Sequence, residues 1–144
     1  MTTVAGSGSA TFADGSGAGA SFFDPVGVAL DTSGNVYVAD TYNHRIRKVT
    51  PGGEVSTLAG SGSATFADGS GAGAIFNRPQ GVAMDTSGYV YVADTENHRI
   101  RKLSPVGCPA GTECTNPVSP FPCPGNTRCK PCTSVRFFVS QRPP

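Results

Sequence analysis

Two copies of one short polar motif contain most of the residues of this 144-residue chain that could carry chemistry. Aspartate and histidine side chains act as acids, bases or metal ligands in many active sites. A single active site would break the symmetry between two copies, and the chain has only two histidines. We therefore expect a structural turn network, with no catalytic residue, metal site or cofactor. Its members are Asp31, Asp40, Asn43, His44 and Arg45, and in the second copy Asp85, Asp94, Asn97, His98 and Arg99.

Within this network, aspartate and asparagine side chains are expected to bind turn amides, because these residues often hydrogen-bond backbone groups close to them in sequence. Arg45 is expected to pair with a neighbouring aspartate.

A run of cations in each copy offers a second kind of chemistry, contact with phosphate groups. The residues are Arg45, Arg47 and Lys48, repeated as Arg99, Arg101 and Lys102. Clustered cations with exposed aromatic rings would indicate an RNA-binding face. The other interpretation is an exposed outer strand that its charges protect from edge pairing. The net charge of +1, and Glu96 in place of Tyr42, favour this second interpretation and disfavour nucleic acid.

Glycine-rich segments at 6–20 and 60–74 precede the two motifs. A phosphate cradle would need a lysine and a following helix, and neither is present in these segments. They are predicted to be long connectors, anchored by Phe12 and Phe66 and turned at an Asp-Gly pair.

The chain is a tandem duplication over most of its length. Residues 3–50 align without gaps on 57–104, and 10 of the 48 pairs differ, which leaves 38 identical. The sharpest differences are Phe23 to Asn77, Asp24 to Arg78, Val26 to Gln80, Asn35 to Tyr89 and Tyr42 to Glu96. Self-similarity at this period is typical of repeat architectures.

Each repeat has the pattern of four short strands, at 26–30, 36–39, 45–49 and 55–59 in the first copy. Turn residues separate the strands about every ten residues, which predicts an antiparallel meander with almost no helix. The second strand is apolar on both faces and should be buried on both. Val38 and Val92 are thus expected in the core, and Tyr42 and Glu96 on exposed turns.

Ordered sequence elements in both copies resemble the NHL repeat: Gly27 to Asp31, Gly34 to Thr41 and Asn43 to Lys48, then Gly81 to Asp85, Gly88 to Thr95 and Asn97 to Lys102. The resemblance implies blades of a β-propeller, usually six-bladed. Members of that family mostly bind proteins, a minority bind RNA, and one branch is a metal-dependent lyase. The expected fold is all-β: a partial β-propeller of two four-stranded antiparallel NHL-type blades in residues 1–106, plus an irregular cysteine-rich tail in 107–144.

Two blades cannot close a six-bladed ring. The second meander has three strands before the tail, and 2–5 is an unpaired candidate for a fourth strand. We therefore expect either a fragment of a larger protein or a head-to-tail oligomer, most simply a trimer, in which 2–5 completes the second blade of the next copy. The expected function is a non-enzymatic protein-interaction or scaffold module that binds a protein or its own copies.

All five cysteines lie in the tail, at Cys108, Cys114, Cys123, Cys129 and Cys132. Their Cys-Pro-x-Gly-Thr context resembles extracellular ephrin-receptor-type repeats. This implies disulfides with one thiol left over, and it favours an extracellular or cell-surface location. Zinc on Cys129, Cys132, Cys123 and Cys114 is the alternative. No signal peptide and no membrane span are visible, so the location stays open.

Overall fold

Two antiparallel sheets make up the described part of the chain. The structure, a computed structural model, describes residues 1–106 and 136–140. The first sheet has the order β1-β5-β4-β3-β2 and the second the order β6-β10-β9-β8-β7. The strands are β1 (Gly15–Ser16), β2 (Pro25–Leu30), β3 (Val36–Asp40), β4 (Arg45–Val49), β5 (Glu54–Ala59), β6 (Gly69–Ser70), β7 (Pro79–Met84), β8 (Val90–Asp94), β9 (Arg99–Val106) and β10 (Arg136–Ser140).

The prediction of all-β meanders is confirmed. Strands β2 to β5 form the first blade and β7 to β10 the second. Tight turns join β2 to β3 and β7 to β8, and the first of them is closed by the Asp31 N–H donating to the Asn35 carbonyl at 3.0 Å. The helices in the described residues are four single 3₁₀ turns, at Gly17–Gly19, Thr41–Asn43, Gly71–Gly73 and Thr95–Asn97.

The glycine-rich connectors contribute more than a link between strands. Each supplies a two-residue strand to the outer edge of its sheet, with Gly15 opposite Val55 in the first blade. A Cβ at Gly15 would lie 3.0 Å from the Gly19 carbonyl oxygen. Glycine at this position lets the connector turn tightly enough to pair with the sheet.

The prediction that residues 2–5 form a strand is wrong. This segment is irregular in the single chain, and the edge of β9 that it was expected to fill is occupied by another strand. The fourth strand of the second blade comes from the tail: β10 pairs with β9, with Arg136 opposite Val106 and Ser140 opposite Lys102. The five cysteines, and the disulfides and zinc site weighed for them, lie outside the described residues.

The core lies mainly between the two blades. Ile46, Ala59, Phe76, Val90 and Leu103 are fully buried and belong to one cluster that draws on both sheets. A smaller cluster around Val38 and Val49 is covered by Ala20 and Phe22 of the first connector. Val38 is 6% exposed and Val92 fully buried, as predicted. Tyr42 and Glu96 are exposed, also as predicted.

The third strand is not the exposed outer strand that its charges suggested. Strand β4 lies between β3 and β5, and Ile46, Arg47 and Val49 on it are buried. Strand β5 pairs with the outer side of β4, and the connector adds β1 beyond β5, so β4 is the central strand of the sheet. Charge on this strand therefore marks an internal contact.

Candidate functional site

A buried ion pair holds the loop end of each blade together. Arg47 and Asp40 are fully buried, and an Arg47 Nη atom lies 2.6 Å from an Asp40 carboxylate oxygen. The guanidinium also reaches Asp14 on the connector at 2.6 Å and donates to the Ala13 carbonyl at 2.7 Å. The second blade repeats this arrangement with Arg101, whose Nη atoms lie 2.7 Å from Asp94 and 2.8 Å from Asp68.

The asparagine and the connector complete this network. Asn43 donates to the Asp40 carboxylate at 2.9 Å and to the Thr11 carbonyl at 3.1 Å. The other Asp40 oxygen accepts the Phe23 N–H at 2.8 Å. The network thus ties three segments of one blade together: the connector, the start of β2 and the turn after β3. Internal groups occupy both oxygens of the buried carboxylate.

Arg45 does not pair with an aspartate among the described residues, in contrast to the prediction. It donates to the carbonyls of Asn43 and Ser61, and its guanidinium stacks on the Phe12 ring, 3.9 Å from the centroid. Arg47 takes the aspartate because it lies diagonal to Asp40 across the β3–β4 pair, within reach of a long side chain. The spacing from Asp40 to either arginine is the same in both repeats, so the sequence alone could not distinguish Arg47 from Arg45.

The cations assigned to phosphate contact are divided between interior and surface. Arg47 and Arg101 are fully buried in their ion pairs, so their guanidinium groups cannot meet a phosphate in this structure. Lys102 lies over the Tyr89 ring, 3.4 Å from the centroid. Lys48 is partly buried, and Arg99 is exposed above Phe66. These positions do not form one basic surface.

Asp31 organises the turn between β2 and β3. Its carboxylate accepts the N–H groups of Ser33 at 2.9 Å and Asn35 at 2.8 Å, and the Tyr37 hydroxyl at 3.1 Å. Partial burial alone would raise its pKa, but hydrogen bonds, first among them that from the Asn35 side-chain amide at 2.7 Å, outweigh burial and lower the pKa of Asp31. Asp85 repeats the same role with Ser87, Tyr89 and Tyr91.

Two hydrogen bonds join the first blade to the residues at the start of β7. The Thr41 hydroxyl donates to the Pro79 carbonyl at 2.8 Å, and His44 Nδ1 accepts the Arg78 N–H at 3.1 Å. His44 adopts the left-handed conformation, φ 53°, which aims its ring across the junction. Burial first, and then the positive charges of Arg78 and Arg45, lower the pKa of His44, with Asp94 acting in the opposite direction. The neutral ring is the form that can accept this hydrogen bond.

Among the described residues, nothing covers the apolar outer sides of the two blades. We call the outer side of the first blade, with Val28 and Leu30, the leading face, and the outer side of the second blade, with Ile100, the trailing face. Val28 is 60% exposed and Leu30 63%. Ile100 is 73% exposed, whereas its copy Ile46, at the junction between the blades, is fully buried. The sequence could not show this difference, because both isoleucines stand in the same run Arg-Ile-Arg-Lys.

A third exposed feature lies at the loop ends, where the repeats differ most sharply. The rings of Phe23 and Tyr42 stack with centroids 5.0 Å apart, and the Arg78 guanidinium lies 4.8 Å above the Tyr42 ring. Asn77 and Glu96 replace the two rings in the second blade, so the second blade lacks this aromatic stack.

Two kinds of feature were sought within residues 1–106 and 136–140. No three His, Cys, Asp or Glu side chains there are grouped so that they could hold a metal ion. No helix in that part is long and apolar enough to cross a membrane.

Comparison with known proteins points to one repeat type. Protein SUPPRESSOR OF QUENCHING 1, chloroplastic, from Arabidopsis thaliana is 43% identical over 95 residues, covering 64% of this chain and 9% of that protein. NHL repeat-containing protein 2 from Gallus gallus is 43% identical over 94 residues, covering 62% of this chain and 13% of that protein. The chain thus spans about a tenth of the length of these relatives.

A solved structure agrees with this likeness. The crystal structure of an auxiliary nutrient binding protein from Bacteroides thetaiotaomicron superposes with a TM-score of 0.56 at 33% identity, covering 66% of this chain and 26% of that one. The family model for the NHL repeat matches residues 22–49 and 76–103, which run from three residues before β2 through β4 and from three residues before β7 through most of β9. The chain therefore has two segments that match the NHL repeat, and they are folded as two adjacent antiparallel blades.

Proposed function

We propose that this chain is a non-enzymatic protein-interaction module whose binding surfaces are the leading and trailing faces of the blade pair. One observation carries the proposal: Ile46 is fully buried where a second blade covers it, and the same residue is 73% exposed as Ile100 at the end of the array. Exposed apolar patches of this kind mark protein contacts more often than sites of chemistry.

The polar network supports a non-enzymatic role. Asp40 and Asp94 are fully buried, and each is satisfied by an arginine, an asparagine and a backbone N–H of its own blade. A catalytic carboxylate would need access to a substrate. The same network recurs in both blades, as expected of contacts that a blade needs to fold. Neither copy of the network has a further side chain, absent from the other copy, that could act on a substrate.

The RNA-binding alternative loses two of its six cations, because Arg47 and Arg101 are buried in ion pairs. The lyase alternative rests on the resemblance alone, and no described feature favours it.

Photo-crosslinking tests the proposal in cells that produce the chain. A photoreactive phenylalanine analogue is placed at Leu30 or at Ile100, and at Thr32, an exposed residue of the turn between β2 and β3, as the control. We expect covalent protein adducts from the two face positions in excess of the control, insensitive to ribonuclease. Adducts that ribonuclease removes, or face positions that label no more protein than Thr32, would refute the assignment.

A further inference from the structure

We infer that the partner of the open faces is a second copy of this chain, docked head to tail in the same register as the internal junction between the blades. The inference rests on the proposed function, since it names the partner for the same two faces. The internal junction serves as the template for the contact, and each end of the array carries one half of that template.

The apolar halves of the template recur at the open ends. At the internal junction, Tyr37, Ala39 and Ile46 of the first blade pack in one cluster with side chains of the second blade. Their copies on the trailing face are Tyr91, Ala93 and Ile100, with identical side chains.

The leading face repeats the other half of the template. Val82 and Met84 pack against the junction cluster. Their copies are Val28 and Leu30, which are 60% and 63% exposed. Val28 thus matches Val82, and Leu30 matches Met84 with a similar volume. The first blade of a second copy therefore offers the trailing face a close equivalent of the surface that packs against Ile46.

The open ends also carry copies of the groups that form the polar contacts of the junction. Thr41 donates across the junction to the Pro79 carbonyl at 2.8 Å. Its copy Thr95 donates instead to its own Ala93 carbonyl, at a longer 3.4 Å. Pro79 is buried, whereas its copy Pro25 is exposed. Docking in the junction register would let Thr95 donate to the Pro25 carbonyl of the second copy.

The histidine contact follows the same pattern. His44 accepts the Arg78 N–H, and Arg78 holds φ 48° to present it. At the ends, His98 and Asp24 occupy these positions with nearly the same backbone, φ 54° and φ 52°, and both are exposed. The Asp24 N–H of a second copy would therefore meet the His98 ring, with the Asp24 carboxylate close to it.

The close approach of the inner strands can also be repeated. A Cβ at Gly27 would lie 2.2 Å from the Gln80 carbonyl oxygen, so only glycine permits this contact between β2 and β7. The copy of Gly27 is Gly81, where an added Cβ would meet just the Ala93 Cβ, at 3.3 Å. Gly81 thus leaves room for the backbone of a second copy at Val26, which is the copy of Gln80.

The decisive experiment uses two variants of the full chain, one for each face. Leu30→Glu places a charge on the leading face and Ile100→Glu places one on the trailing face. Both positions are largely exposed in the single chain, so circular dichroism and thermal unfolding should match the wild type at low concentration. Light scattering after size-exclusion chromatography then gives the mass of each sample.

We expect the wild type to form a species larger than 14.7 kDa and each variant alone to be a monomer. An equal mixture of the two variants should form a dimer and nothing larger. The Leu30→Glu copy keeps an intact trailing face and the Ile100→Glu copy an intact leading face, so one contact forms, and the remaining contact would place two glutamates together.

A second measurement avoids face variants that could disturb folding. A photoreactive group at Ile100 of the purified chain should crosslink to the segment Val28–Leu30 of another copy. A wild-type chain that stays at 14.7 kDa across micromolar concentrations overturns the inference. So does a mixture that assembles no further than either variant, or a crosslink from Ile100 to another segment.

The two proposals can fail separately. If the purified chain is monomeric but its faces still crosslink other proteins in cells, the interaction module stands and the second copy is the wrong partner. If the faces crosslink nothing above the control, both proposals fail.

Discussion

The paired isoleucines provide a stability test in which the residue type and its sequence neighbours are held constant. Ile46 and Ile100 stand in the same run, but Ile46 is fully buried at the blade junction and Ile100 is 73% exposed. Replacing Ile46 with alanine removes three buried carbon atoms, worth about 2.4 kcal/mol at roughly 0.8 kcal/mol per buried CH₂. The cavity left behind raises the total to about 3–4 kcal/mol, within the range seen for such changes.

The same substitution at Ile100 removes atoms that are mostly in water already. Because Ile100 has about a quarter of the burial of Ile46, its replacement should lower the free energy of unfolding by roughly 0.6 kcal/mol or less. Each kcal/mol corresponds to roughly 4–8 °C in Tm for a domain of this size. Ile46→Ala should therefore lower Tm by more than 10 °C and Ile100→Ala by a few degrees.

Urea unfolding followed by circular dichroism measures both variants. The measurement is made in a Leu30→Glu background, so that no second copy can cover Ile100. Equal losses at the two positions would refute the assignment of Ile46 to a junction and Ile100 to an open end. Losses near zero at both positions would mean that the two blades do not pack on each other.

Three further predictions follow from the polar groups and the tail. Asp40→Ala should lower the free energy of unfolding by about 3–5 kcal/mol, because it leaves the buried Arg47 without its buried partner. Asp14→Ala removes a side chain that is 45% exposed and should cost about 0–1 kcal/mol. Similar losses for the two variants in urea unfolding would contradict the unequal burial. The pKa of His44 is lowered from about 6.5 in the folded chain, so the unfolded chain takes up the proton first as pH falls. The stability that neutral His44 provides is therefore complete above pH 6.5. It is lost as pH falls through that value towards the folded pKa. His44→Asn should flatten this decline in denaturation scans, and an unchanged slope would refute it. The tail cysteines remain a prediction: mass spectrometry of exported protein should find disulfides, and five free thiols or bound zinc would count against them.

The strand pattern was predictable because it depends on local rules. The two-sided apolar run at Val36 to Ala39 and the turn residues around it specify a buried strand and its hairpins, and the structure has them at β3 and its neighbours. The role of Arg47 was not predictable from strand polarity alone. A charged residue on a central strand resembles one on an edge strand until the position of the connector is known.

The error about the fourth strand of the second blade has a related cause. Residues 2–5 carry the same type of sequence as the end of β5, yet a strand forms only where a partner strand offers its backbone groups. The second blade instead obtains its partner from Arg136–Ser140, far along the chain. Sequence repetition indicates which segments are equivalent, but it does not indicate which backbone will lie beside each of them.

The duplication therefore separates what a repeat specifies from what its neighbours specify. The turn network, the buried ion pair and the strand register recur in both blades, because each depends on residues inside one repeat. Burial of Ile46, the hydrogen bond from Thr41 and the contact at His44 occur only where the following blade is present. Their copies Ile100, Thr95 and His98 have the same side chains but lack that neighbour. The residues by which the chain would select a partner are thus those that are identical in the two repeats but buried at the junction in one copy and exposed in the other.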